Sequence, residues 1–227
     1  MTTNDEAKVF PHVEEKSLRD HVAENIRRAI EAGVLKPRDR LVEAEIAAQM
    51  GISRAPVREA IRLLEQEGFV TTTPRKGTFI VELERQDIEE IYSLRSALEG
   101  LAVKMAMPRL DATEMDALES LVNDMREAAE ARDMSRLVEA DLAFHQRIVV
   151  LSGHSRLLQD WLRMSTQLRL FFAVKDQLYE NPRDIAETHQ PLLDALRARD
   201  VDVAQRVLTK HIVEAGQLVL ARSDGGH

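Results

Sequence analysis

Four potential metal ligands lie on apolar faces of predicted helices in the C-terminal half of this 227-residue chain. Asp141 and His145 are four residues apart in DLAFHQ, so one helix face carries a carboxylate and an imidazole. His189 and His211 lie among apolar residues of two later helices. Burial of four such groups without partners is costly, and N and O donors without sulfur suit Zn²⁺, Ni²⁺ or Mn²⁺. The pattern predicts a divalent metal site; the alternative is a core hydrogen-bond network.

The two later histidines are expected to face each other. The predicted helices 183–199 and 201–221 are joined by a very short turn at Asp200, which makes them antiparallel neighbours. His189 and His211 are equally distant from that turn, at about 16 Å along their helices. They should therefore lie at the same height as each other, where Asp141 and His145 could meet them.

Composition and charge restrict the type of metal ligand, the cellular location and the domain organisation. The chain has no cysteine, which excludes thiolate metal ligands and disulfides. No signal-peptide pattern and no apolar run approaching about 18 residues are found, so we expect a cytoplasmic protein without membrane contact. The net charge is −8, yet residues 36–77 contain eight Lys/Arg against six Asp/Glu. A locally basic module in front of an acidic body indicates two domains with different partners.

The elements that must position these residues are mostly helical. The first part of the chain reads as helix, short helix, tight turn, helix and a two-stranded wing in FVTTTPRKGTFIVEL. The fold class is therefore mainly α, with an N-terminal winged helix-turn-helix and a C-terminal antiparallel all-helical bundle. Helices are predicted at 17–32, 43–50, 54–67, 87–106, 112–131, 134–152, 155–179, 183–199 and 201–221.

The third helix has the pattern of a DNA-recognition helix. Val57, Ala60, Ile61 and Leu64 form its buried stripe. Arginines occupy its exposed N-terminal end and outer side, where they could contact base edges and phosphates in the major groove. The wing tip is basic as well. The alternative is an ordinary solvated surface paired with nearby glutamates. The candidate DNA-binding residues are Arg54, Arg58, Arg62, Arg75, Lys76 and Gly77.

The N-terminal half resembles a known family. SRAPVREAIRLLEQEGFV is similar to the recognition helix of the GntR transcription regulators. The resemblance implies base contacts from Arg54 and Arg58 and wing contacts near Lys76 and Gly77. Ala44 stands where some relatives have a further DNA-contacting arginine, so the resemblance implies the mode of DNA binding and not the operator sequence.

The C-terminal half resembles the FadR-type branch of that family through LRSALEG, DLAFHQ, ETHQPLLDALRARD and AQRVLTKHI. The resemblance implies an all-helical effector-binding domain with metal ligands at Asp141, His145, His189 and His211. Six predicted helices, rather than seven, indicate the shorter, VanR-like variant.

Arg95 interrupts an apolar seam formed by Ile88, Ile91, Leu98 and Ala102. An inward-facing arginine there could bind a carboxylate through two hydrogen bonds. The pattern allows equally an i, i+4 pair with Glu99. The resemblance to regulators that sense small organic acids favours the effector-binding role.

Together these features predict a homodimeric transcription regulator and not an enzyme. Its expected partners are a pseudo-palindromic double-stranded DNA operator and a small carboxylate effector that relieves repression. Residues 1–15 are predicted as a flexible arm, 16–83 as the DNA-binding domain, 84–222 as the effector-binding and dimerisation domain, and 223–227 as a tail. Two alternatives are a metal-dependent hydrolase-type enzyme and a regulator with an empty metal site.

Overall fold

The structure is a computed structural model that describes residues 17–174 and 181–223. The predicted arm at 1–15 and all but the first residue of the predicted tail lie outside these residues. Among the described residues, no helix is both long enough and apolar enough to cross a membrane.

The N-terminal half is a winged helix, as predicted. Its three helices are α1 (Leu18–Glu31), α2 (Glu43–Met50) and α3 (Arg54–Glu67). Ser17 caps α1 by accepting a hydrogen bond from the amide of Asp20. Ser53 occupies the N-cap of α3 as expected, although its hydroxyl makes no capping hydrogen bond. The helices pack on a small antiparallel sheet of strand order β1-β3-β2, with strands β1 (Arg40–Leu41), β2 (Val70–Thr73) and β3 (Gly77–Ile80).

The C-terminal half is an all-helical bundle whose longest helix, α10, packs along α4. The predicted stretch 175–179 lies outside the described residues. The helices are α4 (Arg85–Ala106), α5 (Ala112–Ala131), α6 (Met134–Leu151), α7 (Ser155–Val174), α8 (Pro182–Glu187), α9 (Gln190–Arg197) and α10 (Val201–Ser223), with a short 3₁₀ turn at Met107–Arg109.

The prediction of one helix over 183–199 is wrong, because α8 ends at Glu187 and α9 begins at Gln190. Pro191 lies in the first turn of α9, and a proline lacks the N–H that a continuous helix would need at that point. The described part of the bundle therefore has seven α-helices where six were predicted. His189 occupies the break itself, with helical backbone angles.

The two halves have separate cores that meet at α7. Leu170 of α7 is 6% exposed and packs in the winged-helix core, not in the bundle core. Gly68, which ends α3 with φ +87°, lies against the same helix. A Cβ at Gly68 would be 3.2 Å from the carbonyl oxygen of Arg163, so both its backbone angle and this close approach favour glycine. Helix α7 thus supports the C-terminal end of the recognition helix.

Candidate metal centre and DNA-binding surface

Asp141, His145, His189 and His211 converge at one point inside the bundle. One potential ligand atom from each lies within 4.8 Å of the other three. Helix α6 supplies the i, i+4 pair, and the rings of His189 and His211 have centroids 4.4 Å apart. The sequence therefore placed these four residues together correctly, although the break at His189 was not expected.

The ring of His145 is held in one orientation by Glu99. Its Nδ1 lies 2.6 Å from Oε2 of Glu99, and a buried, ionised carboxylate can only accept, so Nδ1 donates. The other ring nitrogen, Nε2, then carries a lone pair that faces the cluster. No acceptor or donor in hydrogen-bonding geometry reaches this buried Nε2 within the described residues.

His189 is oriented in the same way by its own backbone. Its Nδ1 donates to the carbonyl oxygen of Ile185 at 2.8 Å, which again leaves Nε2 directed to the cluster without a hydrogen bond in the described chain. This Nε2 lies 3.3 Å from Oδ1 of Asp141 without forming a hydrogen bond to it. Two fully buried, orphaned imidazole nitrogens are costly in a core and are expected where a metal ion binds.

The charges of the remaining two ligands suit coordination. Burial opposes ionisation of Asp141, but His189, His145 and Arg95 outweigh it and hold the pKa of its carboxyl below the usual range. Burial and the neighbouring histidines lower the pKa of His211 well below its ordinary value. At neutral pH the cluster therefore offers a carboxylate and an unprotonated imidazole, the forms that bind a metal ion.

A cavity of about 150 Å³ opens beside the cluster. Asp141, His145 and His211 form part of its wall, together with Tyr92 and Arg95. Seven of the remaining wall residues are apolar: Leu137, Val138, Phe172, Ile185, Ile212, Ala215 and Leu218. The other four are polar: Asn181, Asp184, Thr188 and Glu214. A small molecule in this cavity would contact the metal ligands and the guanidinium side chain at the same time.

Arg95 forms the predicted ion pair with Glu99 and also faces inward. It is 4% exposed, and its Nε donates to Oε1 of Glu99 at 2.8 Å, so the i, i+4 pair forms. Its guanidinium also lies over the ring of Tyr92, at 5.4 Å from the centroid, and lines the cavity. Its role in effector binding stays a prediction.

Glu99 is the functional residue that the sequence reading missed. It is completely buried and accepts hydrogen bonds from Arg95, His145 and Trp161, which come from three different helices. Although burial alone would raise it, the pKa of this carboxyl is lowered by His145 and Arg95. Such a carboxylate behind a ligating histidine fixes the ring and raises its basicity. The spacing from Arg95 was the available signal, but it was read only as a local ion pair.

The arginines of the recognition helix are exposed, as predicted. Arg54 begins α3 and is exposed at its N-terminal end, and Arg58 and Arg62 are exposed on the side away from its core residues. Arg58 pairs with Glu43 of α2, with Nη2 3.2 Å from Oε2. The pair is open to water, so it is weak and can be exchanged for a contact to DNA.

The wing tip presents Arg75 and Lys76 to solvent between β2 and β3. Arg75 has φ +64° and Gly77 has φ +120°, a conformation that glycine adopts without strain. A Cβ at Gly77 would also lie 2.8 Å from Nε of Arg40 on β1. Gly77 therefore shapes the tip that carries the two basic side chains.

Each half of the chain matches a known protein family or domain. Residues 18–80 match the gntR family of bacterial regulatory proteins, and residues 90–214 match the FCD domain. A probable D-xylose utilization operon transcriptional repressor from Paenarthrobacter nicotinovorans is 34% identical over 185 residues, covering 81% of this chain and 80% of the relative. The Nta operon transcriptional regulator of Aminobacter aminovorans is 32% identical over 177 residues, covering 78% and 82%.

Solved structures agree with this likeness. The Escherichia coli protein McbR/YncC superposes with a TM-score of 0.73 at 25% identity, covering 92% of this chain and 99% of its own. A putative GntR transcriptional regulator from Rhodococcus sp. RHA1 gives 0.72 at 25% identity, covering 91% and 99%. The Paenarthrobacter, Aminobacter and Rhodococcus proteins are described as transcriptional regulators or repressors, and McbR of Escherichia coli is described as an HTH-type transcriptional regulator.

Proposed function

The chain belongs to the gntR family of bacterial regulatory proteins and carries an FCD domain, and from this we propose that it is a metal-containing repressor relieved by a small organic acid. DNA binding and transcription regulation follow from the family itself. The metal, the chemical class of the effector and the sign of the response are the proposed part. A regulator of this kind acts on chromosomal DNA in the bacterial cytoplasm.

The observation that carries the metal proposal is the pair of orphaned nitrogens. Nε2 of His145 and Nε2 of His189 are buried, unbonded within the described residues, and directed at Asp141 and His211. Zn²⁺, Ni²⁺ and Mn²⁺ all accept such a set of three imidazoles and one carboxylate. When bound, the ion would supply a Lewis-acidic centre for an anionic ligand, while Glu99 keeps the His145 ring in place.

The effector proposal rests on the cavity. Arg95 and the metal ligands line the same space, so a carboxylate could be held by the guanidinium of Arg95 on one side and by a bound metal ion on the other. The apolar part of the wall fits a short hydrocarbon body. Effector binding would favour one arrangement of the two halves over another, which is what changes DNA affinity.

The DNA proposal assigns Arg54, Arg58 and Arg62 to the major groove and the wing tip to the adjacent backbone or minor groove. One recognition helix covers few base pairs, so we expect a dimer on a pseudo-palindromic operator. The name of the Paenarthrobacter relative supports repression, since it is described as a repressor.

The decisive experiment combines three measurements on the purified full chain. Elemental analysis without added chelator should find about one divalent ion per subunit. Selection from random double-stranded DNA should return a two-fold symmetric site. A panel of small carboxylates, screened by thermal shift with metal present, should contain a ligand that also releases that DNA. Metal well below one ion per subunit, with no thermal shift on adding Zn²⁺, Ni²⁺ or Mn²⁺, would contradict the metal part alone.

A further inference from the structure

A further arginine belongs to the wing, on the strand beside its hairpin. Arg40 is exposed on β1, where it pairs with Phe79 of β3, the central strand of the small sheet. Leu41 and Ile80 are buried in the winged-helix core. Because side chains alternate along a strand, Arg40 lies on the opposite face of the sheet, the same face as Phe79 and Gly77.

The side chain of Arg40 reaches the wing tip because Gly77 has no side chain. Its Nε, Nη2 and Cζ atoms would lie 2.8, 3.2 and 3.4 Å from a Cβ placed on Gly77. The guanidinium thus occupies the space that any larger residue at position 77 would fill. Gly77 directly follows Lys76, so this charge lies one strand residue, about 3.3 Å, behind the basic residues of the tip.

The charge of Arg40 is not neutralised by the rest of the described chain, within which its side chain makes no ion pair and no hydrogen bond. Arg38, two residues earlier and also exposed, pairs with both Glu82 and Glu84. An anion that binds Arg40 therefore has no internal partner to displace, whereas one that binds Arg38 competes with two carboxylates. The two arginines differ in their availability to an anion, although both are open to water.

We propose that Arg40 binds a DNA phosphate beside the groove that the wing tip contacts, and that Gly77 leaves the room its guanidinium needs there. A guanidinium can donate two parallel hydrogen bonds to one phosphate group. Because Arg40 lies behind the tip, it reaches the sugar-phosphate backbone and not the base edges, and such contacts position the protein without reading sequence. The proposal deepens the assignment of the wing made above and rests on it. With Arg75 and Lys76, each wing then presents three cations to DNA.

The first test measures Kd of the full chain for double-stranded DNA of random sequence, by fluorescence anisotropy at several salt concentrations. Arg40→Gln should lower the slope of log Kd against log salt by about 0.9 for each bound subunit. Between about 50 and 200 mM salt, the rise in Kd should then be roughly 3.5-fold smaller per subunit.

The matched control is Arg38→Gln, which should keep the wild-type slope because its charge is already paired. Both variants should melt like wild type, since both side chains are exposed. A folded Arg40→Gln protein with the wild-type slope overturns the proposal.

The second test separates a phosphate contact from a base contact. Arg40→Gln should weaken binding to the operator recovered by selection and to the random duplex by the same factor, so the ratio of the two Kd values stays that of wild type. Arg58→Ala, on the recognition helix, should bring the two Kd values closer together. The same convergence in Arg40→Gln would mean that Arg40 reads bases, and it would overturn the phosphate assignment.

Lys76→Ala, measured in the same salt titrations, distinguishes failure of this proposal from failure of the wing assignment. A reduced slope in Lys76→Ala beside a wild-type slope in Arg40→Gln keeps the wing on the DNA and overturns only the role of Arg40. A wild-type slope in both variants contradicts the wing assignment itself, and the role of Arg40 falls with it. Reduced slopes in both variants, with the Arg38→Gln slope unchanged, support three cations at each wing.

Discussion

The indole Nε1 of Trp161 donates to Oε1 of Glu99 over 2.7 Å, inside the bundle. The other oxygen of the same carboxylate holds Nδ1 of His145, whose Nε2 faces the metal cluster. Trp161 belongs to α7, the helix that supports the recognition helix at Gly68. One buried carboxylate thus connects the candidate metal centre with the helix that touches the DNA-binding half.

We expect the emission of Trp161 to report metal binding, because it is the chain's single tryptophan and shares Glu99 with a metal ligand. Titration of metal-free protein with Zn²⁺, Ni²⁺ or Mn²⁺ should change its fluorescence. Glu99→Gln should weaken metal affinity by about 10–100-fold, since the ring of His145 loses its anionic partner. The exposed Glu187→Gln is the control and should bind metal like wild type. Unchanged affinity in Glu99→Gln would remove Glu99 from this role.

Metal should stabilise the folded chain by mass action. At a free metal concentration about 100 times Kd the free energy of unfolding rises by about 2.7 kcal/mol, which corresponds to a Tm increase of roughly 5–10 °C. His189→Ala should lose most of this increase in a thermal-shift titration, while His21→Ala should keep it. The surrounding leucines still pack in the His189 variant, so its circular dichroism should remain helical. A full Tm increase in His189→Ala would exclude His189 as a ligand.

The metal-free protein should lose stability as the pH falls. The pKa of His211 is lowered in the folded state by burial and by His189 and His145, whereas the unfolded residue takes up a proton near about 6.5. Below that pH the unfolded state binds more protons, so the free energy of unfolding decreases, by at most about 1.4 kcal/mol per pH unit from this group. Urea unfolding in chelator between pH 5 and 8 measures it. His211→Gln should flatten the dependence, and the exposed His21→Gln should not.

Loss of Arg58 should weaken operator binding by roughly 1–3 kcal/mol and relax sequence preference. Glu43→Gln should have the opposite effect on affinity, because it frees Arg58 from its ion pair. Lys76→Ala should reduce affinity equally for all sequences and lower the salt slope by about 0.9. Gel-shift titrations at several salt concentrations separate these outcomes. Arg28→Ala on α1, also exposed and ion-paired, is the control; an Arg58→Ala protein that behaves like it would refute the assignment.

Arg95→Lys should abolish binding of small carboxylates while DNA binding in their absence stays near wild type. Lysine keeps a positive charge beside Glu99 but cannot form the two parallel hydrogen bonds of a guanidinium. Calorimetry with a panel of mono- and dicarboxylates, in the presence of metal, provides the measurement. Arg126→Lys, on the surface of α5, should bind the same compounds normally. Undiminished carboxylate affinity in Arg95→Lys would take Arg95 out of the site.

Most of the architecture could be predicted from the sequence, because the periodicity of helices and the glycines that end them are local signals. Gly51 and Gly68 end α2 and α3 in the left-handed conformation, and the predicted bounds of those two helices agree with the structure. The break at His189 was missed because the apolar spacing continues from Ile185 through Leu192, although Pro191 was the visible sign against it. Strand β1 was missed because two residues show no alternation.

The ligand cluster could be predicted because all four residues carry their own signal, a polar group on an apolar face. Glu99 could not be identified as part of the site in this way. Its importance comes from contacts 46 and 62 residues away in the chain, with His145 and Trp161, and such contacts have no period.

The placement of Leu170 has a consequence for dissection of the protein. This residue belongs to α7, some 90 positions beyond the wing, yet it fills space in the core of the first 80 residues together with Val57, Leu64 and Ile80. A winged-helix fragment that ends after the wing would therefore have a cavity at the position of Leu170. A bundle fragment that begins after the wing would expose Leu170 to water. Neither piece reproduces a unit of the intact molecule, so proteolysis between them should destabilise both products and not release two independent folding units.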